Sequence, residues 1–369
     1  MAATTASSST ARSRTNGRTV TIILSIVVAV ILVGYYVVRP LEATAVYAST
    51  LRQSTPLILG ALCGLIGERS GIINIGIEGQ MLMSAFLAFL ANVYIGQLGI
   101  FPQGMTLFLA ALIGIGSGAL AGLFLAWMSV GLKMDQIIGG TVINGLAVGI
   151  TSFFYQTGLT TGGKLQAVPI GPLADIPLIG PVLFNNPPIT YITIILVFVV
   201  QFGLFRTVWG LRTRSVGEHP GAADTVGINV NWMRYLNVSL AGAFAGLAGA
   251  YLTLEAVGSF ERGMTNGRGF VALAVMLFGK RTPLGSWGAA LLFGFATALQ
   301  TQFQFSGGIP LPILVQNILA EVGVVGVEAF NPPHQFVGML PYVLTILVLA
   351  GFVGRTRDPK ALGQVYETE

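Results

Sequence analysis

Met105-Thr-Leu-Phe-Leu-Ala-Ala-Leu-Ile-Gly-Ile-Gly-Ser-Gly-Ala-Leu-Ala-Gly-Leu-Phe-Leu-Ala-Trp-Met-Ser-Val130 is an apolar run without one charged side chain. About 20 such residues wound into a helix cross the hydrocarbon of a bilayer, where a helix satisfies its own backbone hydrogen bonds. Similar runs occupy Val20–Val38, Pro56–Ile66, Gln80–Ile95, Gln136–Tyr155, Thr190–Phe205, Trp232–Leu254, Phe270–Phe278, Ser286–Phe305 and Gly338–Gly354. Two of them, Pro56–Ile66 and Phe270–Phe278, are too short to cross as single straight helices. The expected fold is therefore all-α, a polytopic transmembrane helical bundle of about ten spans. Composition agrees: of 369 residues, 53% are hydrophobic and 9% charged, and mean hydropathy is +0.78.

Basic residues mark the cytoplasmic side of a membrane protein. With the N-terminus inside, that side collects Arg12, Arg14, Arg18, Arg69, Lys133, Arg206, Arg212, Arg214, Arg234, Lys280, Arg281, Arg355, Arg357 and Lys360. The outer side keeps Arg39, Arg52, Lys164, Arg262 and Arg268. Both termini are thus predicted to be cytoplasmic. Residues 1–18, rich in Ser, Thr and Ala, read as a disordered tail, 19–354 as the transmembrane domain and 355–369 as a cytoplasmic C-terminal tail. The formal charge of +5 follows from this asymmetry and argues against nucleic-acid binding. Cys63 is the single cysteine, so there is neither a disulfide framework nor a cysteine metal cluster.

Glycines punctuate the apolar runs. Gly114, Gly116, Gly118 and Gly122, and again Gly242, Gly246 and Gly249, predict closely packed helices. From Gly60 to Gly79 the glycines are joined by Glu68, Arg69, Asn74 and Glu78, and this stretch reads as a broken helix beside a wet pathway. Phe270–Phe278 ends in Gly279-Lys280-Arg281 much as the first short run ends in Gly67-Glu68-Arg69. Paired, interrupted segments of this kind point to a transporter with two pseudo-symmetric halves. Polar residues inside such segments must face protein, water or solute, which makes Asn74, Glu78, Gln80, Asn144 and Gln300 the candidate substrate pathway. Helix capping by Asn74 and Glu78, and interhelical bonding by Asn144, are the competing structural roles. Glu255, at the end of its run, is expected to meet water. Gly307–Val337 is either a periplasmic helix or a re-entrant segment.

The most informative polar stretch is Arg212–Val230. Glu218 and His219 precede Pro220 at a first helical turn, Ala222 and Ala223 favour helix, and Gly227 can close it, which predicts a short cytoplasmic helix at about 216–227. Arg214–Ile228, followed by Leu240–Ala250, resembles the coupling-helix region of bacterial ABC permeases of the branched-chain amino acid and monosaccharide type. Leu65-Ile-Gly-Glu-Arg-Ser-Gly-Ile-Ile-Asn-Ile-Gly-Ile-Glu-Gly-Gln-Met81 is similar to the nucleoside, basic-membrane-lipoprotein-linked branch of that family. The resemblance covers most of the chain from Leu51 to Phe352; the departure is Gln136, where the family usually has an acidic residue.

This resemblance implies the permease subunit of an ATP-driven importer in the bacterial cytoplasmic (inner) membrane. Its partners would be a second permease subunit, expected to be a paralogue, cytoplasmic ABC ATPases and an extracytoplasmic substrate-binding lipoprotein. Glu218, His219, Pro220, Ala222, Ala223 and Gly227 would couple to the ATPase. The small polar solute would be a nucleoside, with monosaccharides and branched-chain amino acids as the alternatives. Gly163-Lys164-Leu165 and Gly279-Lys280-Arg281 both fail the phosphate-loop pattern, so ATP is expected on the partner ATPase and no cofactor on this chain. No catalytic arrangement of side chains stands out, which argues against an enzyme. The alternative class is an ion-coupled secondary transporter in which Glu68, Glu78 and Glu321 bind protons or ions.

Overall fold

The computed structural model describes residues 32–156, 158–159, 161–305, 309–310, 329–330, 339, 343 and 358–367. Apart from the residues just given, the expected tail 1–18, the spans Val20–Val38 and Gly338–Gly354, and the segment Gly307–Val337 with Glu321 lie outside the described residues. The helices in chain order are α1 (Pro40–Arg69), α2 (Ile77–Gln97), α3 (Gln103–Ala126), α4 (Gln136–Phe154), α5 (Pro188–Arg206), α6 (Val208–Glu218), α7 (Pro220–Thr225), α8 (Val230–Tyr251), α9 (Arg268–Phe278) and α10 (Pro283–Phe305). Single π turns prolong α3 to Gly131 and α8 to Val257. With those extensions α2, α3, α4, α5 and α8 are long and apolar enough to cross a membrane. Extended structure in the described part is confined to two-residue antiparallel pairs, such as Val168–Pro169 with Asn185–Asn186.

Side-chain caps start several helices where the sequence supplies them. Asp135 accepts the Ile137 and Ile138 N–H groups at the head of α4, Thr207 accepts Gly210 at α6, and Asn229 accepts Trp232 at α8. Burial then sorts the bundle. In α8, 78% of the most apolar 18 residues are buried, and in α2 67%, against 28% for α3 and α4 and 33% for α5. Helices that are apolar all round and yet half exposed have lipid as their other partner. α1 and α8 form the centre: every residue from Ser54 to Glu68 of α1 is buried.

The two glycine clusters meet. α3 and α8 cross antiparallel, and a methyl group at Gly118 would overlap the backbone of Gly242 and Gly246. Gly122 lies in the same way on Val238 and Gly242, whereas Gly116 has open space around its Cα. Gly249 serves a different contact, against Met81 and Ala85 of α2. Small side chains here let two backbones touch, which lipid-immersed helices need because apolar burial alone does not draw them together.

Two expectations are corrected. The run Pro56–Ile66 is not a short span: α1 is a continuous helix of 30 residues that passes through Gly60, Gly64 and Gly67 unbroken. Its glycine face receives α9, since Gly60 faces Ala272 and Gly64 faces Leu273 and Met276. Glu255 does not meet water. It is 5% exposed, and its carboxylate accepts the Ile189 N–H at 2.7 Å and the Thr190 N–H at 3.2 Å, capping α5 from the π turn after α8. Residues 358–367, within the expected C-terminal tail, are docked on the body of the protein, with Ala361 only 3% exposed.

Candidate functional site

The chain breaks where α1 ends. Arg69 closes the helix, Gly71 turns the backbone at φ +88°, and Ser70–Gly76 runs back along α1 without regular structure. α2 therefore starts at Ile77 beside Gly60 and Gly64, part-way up α1 rather than level with its end. Unwound backbone at that depth must find protein partners for its polar groups. Ile73 N–H donates to Gln136 Oε1 at 2.7 Å. Asn144 Nδ2 donates to the Ile75 carbonyl at 3.0 Å while its Oδ1 accepts the Gly79 N–H at 2.7 Å. The close approach requires glycine, because a Cβ at Gly79 would stand 2.7 Å from Asn144 Cα.

Inside the bend, Asn74 Nδ2 donates to Gln80 Oε1 at 3.0 Å and to Cys63 Sγ at 3.4 Å. Asn74 Oδ1 and Gln80 Nε2 are buried and take no hydrogen-bond partner, so a free acceptor and a free donor lie in the interior of the bundle.

Glu78, in the first turn of α2, reaches across to α9. Its Oε1 accepts the Gly267 N–H at 2.8 Å and its Oε2 the Gly269 N–H at 2.6 Å. α9 has no cap of its own, since Gly267 carries no side chain and sits at φ +77°. A carboxylate at a helix N-terminus satisfies the orphan N–H groups and complements the helix dipole. Two interrupted helices thus start face to face, with the Glu78 carboxylate between them.

Four of the five expected pathway residues, Asn74, Glu78, Gln80 and Asn144, converge on this break. Gln300 does not join them: it lies on α10 beyond Gly294, which packs against Thr50 and Ser54 of α1. Gln136 is a support of the break that the sequence reading left without a role. Its signal was a glutamine in an otherwise apolar run, directly after the Asp135 cap.

At the far end of α1 the basic residues gather. Arg281, 5% exposed and held at φ +51°, pairs with Glu68, and also with Asp358 at 2.6 Å. The Arg69 guanidinium donates to the Arg281 carbonyl at 2.7 Å. Arg69 and Arg214 lie 5.7 and 5.3 Å from the centre of the Phe205 ring. Lys133 joins the same face through Glu367, whose carboxyl it holds below the usual range by hydrogen bonding.

The expected helix at about 216–227 is shorter and starts later. Glu218 is the last residue of α6, His219 is extended at φ −146°, ψ 83°, and α7 occupies Pro220–Thr225. A proline disfavours helical backbone in the residue before it, which makes His219 a corner. Gly227, at φ +83°, closes α7, with the Ile228 N–H on the Ala223 carbonyl at 3.0 Å. The two alanines differ. Ala223 packs with Val216, Val230 and Met233, while Gly221, Ala222 and Val226 are exposed, Val226 to 74%.

Residues 46–349 match the family described as "branched-chain amino acid transport system / permease component". The guanosine ABC transporter permease protein NupQ of Bacillus subtilis is 41% identical over 329 residues, covering 86% of this chain and 95% of that one. The nucleoside ABC transporter permease protein NupC of Lactococcus lactis is 37% identical, over 87% and 96%. The putative glucose ABC transporter permease protein TsgC13 of Haloferax volcanii is 34% identical, over 89% and 98%. No solved structure matches.

Proposed function

Because the chain belongs to the permease-component family of branched-chain amino acid transport systems, and is a multi-pass membrane permease rather than an enzyme, we propose that it forms the channel of an ATP-driven nucleoside importer. The observation that carries the coupling is α7. This six-residue helix is anchored on its inner side by Ala223 and offers Gly221, Ala222 and Val226 outward. A small, exposed, rigidly held helix on the basic end suits the groove of an ATPase subunit. Glu218, His219, Pro220 and Gly227 set its position, and ATP is held by that partner, with no cofactor on this chain.

The basic end is the cytoplasmic one, both termini lie there, and about ten spans arranged as two pseudo-symmetric halves complete the domain. A second permease subunit, a paralogue, and an extracytoplasmic binding lipoprotein complete the importer in the bacterial cytoplasmic membrane. Nucleosides are favoured because the guanosine permease NupQ and the nucleoside permease NupC, at 41% and 37% identity, are more similar to this chain than the putative glucose permease TsgC13 at 34%. Nucleosides also match the break chemically, since Asn74 Oδ1 and Gln80 Nε2 offer an acceptor and a donor to a base edge when the bend opens. Glu78 and Asn144 act in that site as supports of the bend, and Gln300 contributes farther along the path. Glu68 pairs with Arg281 and Glu78 caps α9, so both carboxylates hold structural contacts in this arrangement.

The test is uptake of radiolabelled guanosine into proteoliposomes holding this chain with its ATPase, paralogue and binding protein, with and without internal ATP. ATP-dependent accumulation supports the importer; uptake by this chain alone on an ion gradient overturns it.

A further inference from the structure

Residues 358–367 touch the α9–α10 turn, the end of α6, the α1–α2 break and the head of α8 at once. The Asp358 carboxylate takes Arg281 in the turn between α9 and α10 at 2.6 Å. The Ala361 N–H donates to the Gly217 carbonyl at 3.0 Å, at the end of α6 just before α7, and the Lys360 N–H reaches Glu218 Oε2 at 3.4 Å. The Gly363 N–H donates to the Gly71 carbonyl at 3.0 Å, in the break between α1 and α2. The Gln364 carbonyl accepts from Arg234 at 3.1 Å, at the head of α8, and Glu367 pairs with Lys133. These bonds are specific rather than incidental. Ala361 is buried, and a Cβ at Gly71 would come within 3.2 Å of the Ala361 carbonyl oxygen.

We propose that the C-terminal segment 358–367 is a coupling strap, which ties the corner bearing α7 to the α1–α2 break and to the α9–α10 turn so that the three move together. The inference rests on the importer reading of α7. Its physical basis is that the strap hydrogen-bonds Gly217, beside α7, and Gly71, in the break, at the same time. α6 lies against the end of α1 and the start of the break where Gly217 meets the Arg69 and Gly71 backbone, and the strap adds a hydrogen-bonded connection from Gly217 to Gly71 through Ala361 and Gly363. Energetic coupling between sites needs an element that both sites bias. The strap stays docked through the cycle, since its partners lie on both sides of the break and it transmits displacement as a brace.

The experiment uses the reconstituted importer and measures nucleoside accumulated per ATP hydrolysed. Two variants undock the strap: truncation before Asp358, and Gly363→Val, because Gly363 holds φ +76° and its Cβ would lie 3.1 Å from Ile73 Cδ1. A third fixes it, by cross-linking Lys133→Cys to Glu367→Cys with a short bis-maleimide; Cys63 is fully buried and shielded from the reagent. The strap predicts that both undocking variants still assemble and hydrolyse ATP, but that transport per ATP falls by about fivefold or more, while the cross-linked protein transports normally. An unchanged ratio in Gly363→Val, or loss of uptake on cross-linking, overturns it. Failure of the importer reading would show separately, as no ATP-dependent uptake by the unaltered chain.

Discussion

Glu78 Oε2 accepts the Gly269 backbone N–H at 2.6 Å although 191 residues separate them in the chain. The same carboxylate takes Gly267, so the first turn of α2 supplies the cap that α9 lacks. The approach is tight, since a Cβ at Gly269 would lie 2.6 Å from Glu78 Cα. Two broken helices are thereby held as one unit inside the bundle, and disturbing either end of this contact disturbs the break itself.

Glu78→Gln keeps the shape of the cap and one acceptor oxygen but loses the charge. The expected cost is about 1–3 kcal/mol, from one N–H left unsatisfied. Thermal unfolding of the detergent-solubilised complex should shift down, and uptake should fall more in Glu78→Ala than in Glu78→Gln. Equal uptake in both variants and the parent would remove Glu78 from the break.

Gln136 matters through its Oε1, which accepts the Ile73 N–H at 2.7 Å. Gln136→Glu retains an acceptor at that point and should preserve uptake. Gln136→Leu leaves the part-buried Ile73 N–H unpaired, at about 1 kcal/mol, and should lower uptake and unfolding temperature together. The comparison is decided by whether Glu and Leu differ.

Gly118→Val drives a branched side chain into the backbone of Gly242 and Gly246 and should abolish accumulation of folded permease in the membrane. Gly116→Val, two residues away with open space at its Cα, should accumulate normally. Similar membrane levels for both would contradict the α3–α8 crossing.

The alanines of α7 should separate docking from folding. Ala222→Arg changes an exposed position and should reduce co-purification of the ATPase while leaving the unfolding temperature of the isolated permease unchanged. Ala223→Trp enters the packing with Val216 and Met233, and should lower the permease's own stability by about 1–3 kcal/mol. Thermal shift and pull-down on the same two variants check the assignment.

The apolar runs, the glycine faces of α3 and α8, the polar residues of the α1–α2 break and a short helix begun at Pro220 could be read from the sequence, and each for a local reason. Whether a segment prefers lipid depends on its own side chains, and Pro220 suits a first helical turn through its own fixed φ. That His219 before it is a corner ending α6 emerges only from the structure. Tertiary structure decided the rest. Gly60, Gly64 and Gly67 looked like breaks, but α9 packs on that face and α1 stays helical to Arg69. Glu78 caps α9, Glu255 caps α5, and Gly71 meets Gly363 of the C-terminal segment, all across long stretches of chain. A hydrogen bond needs donor and acceptor within about 3 Å, and sequence order does not place residues so far apart at that distance. Polar residues in an apolar segment announce that they will be satisfied; only the packed bundle settles by what.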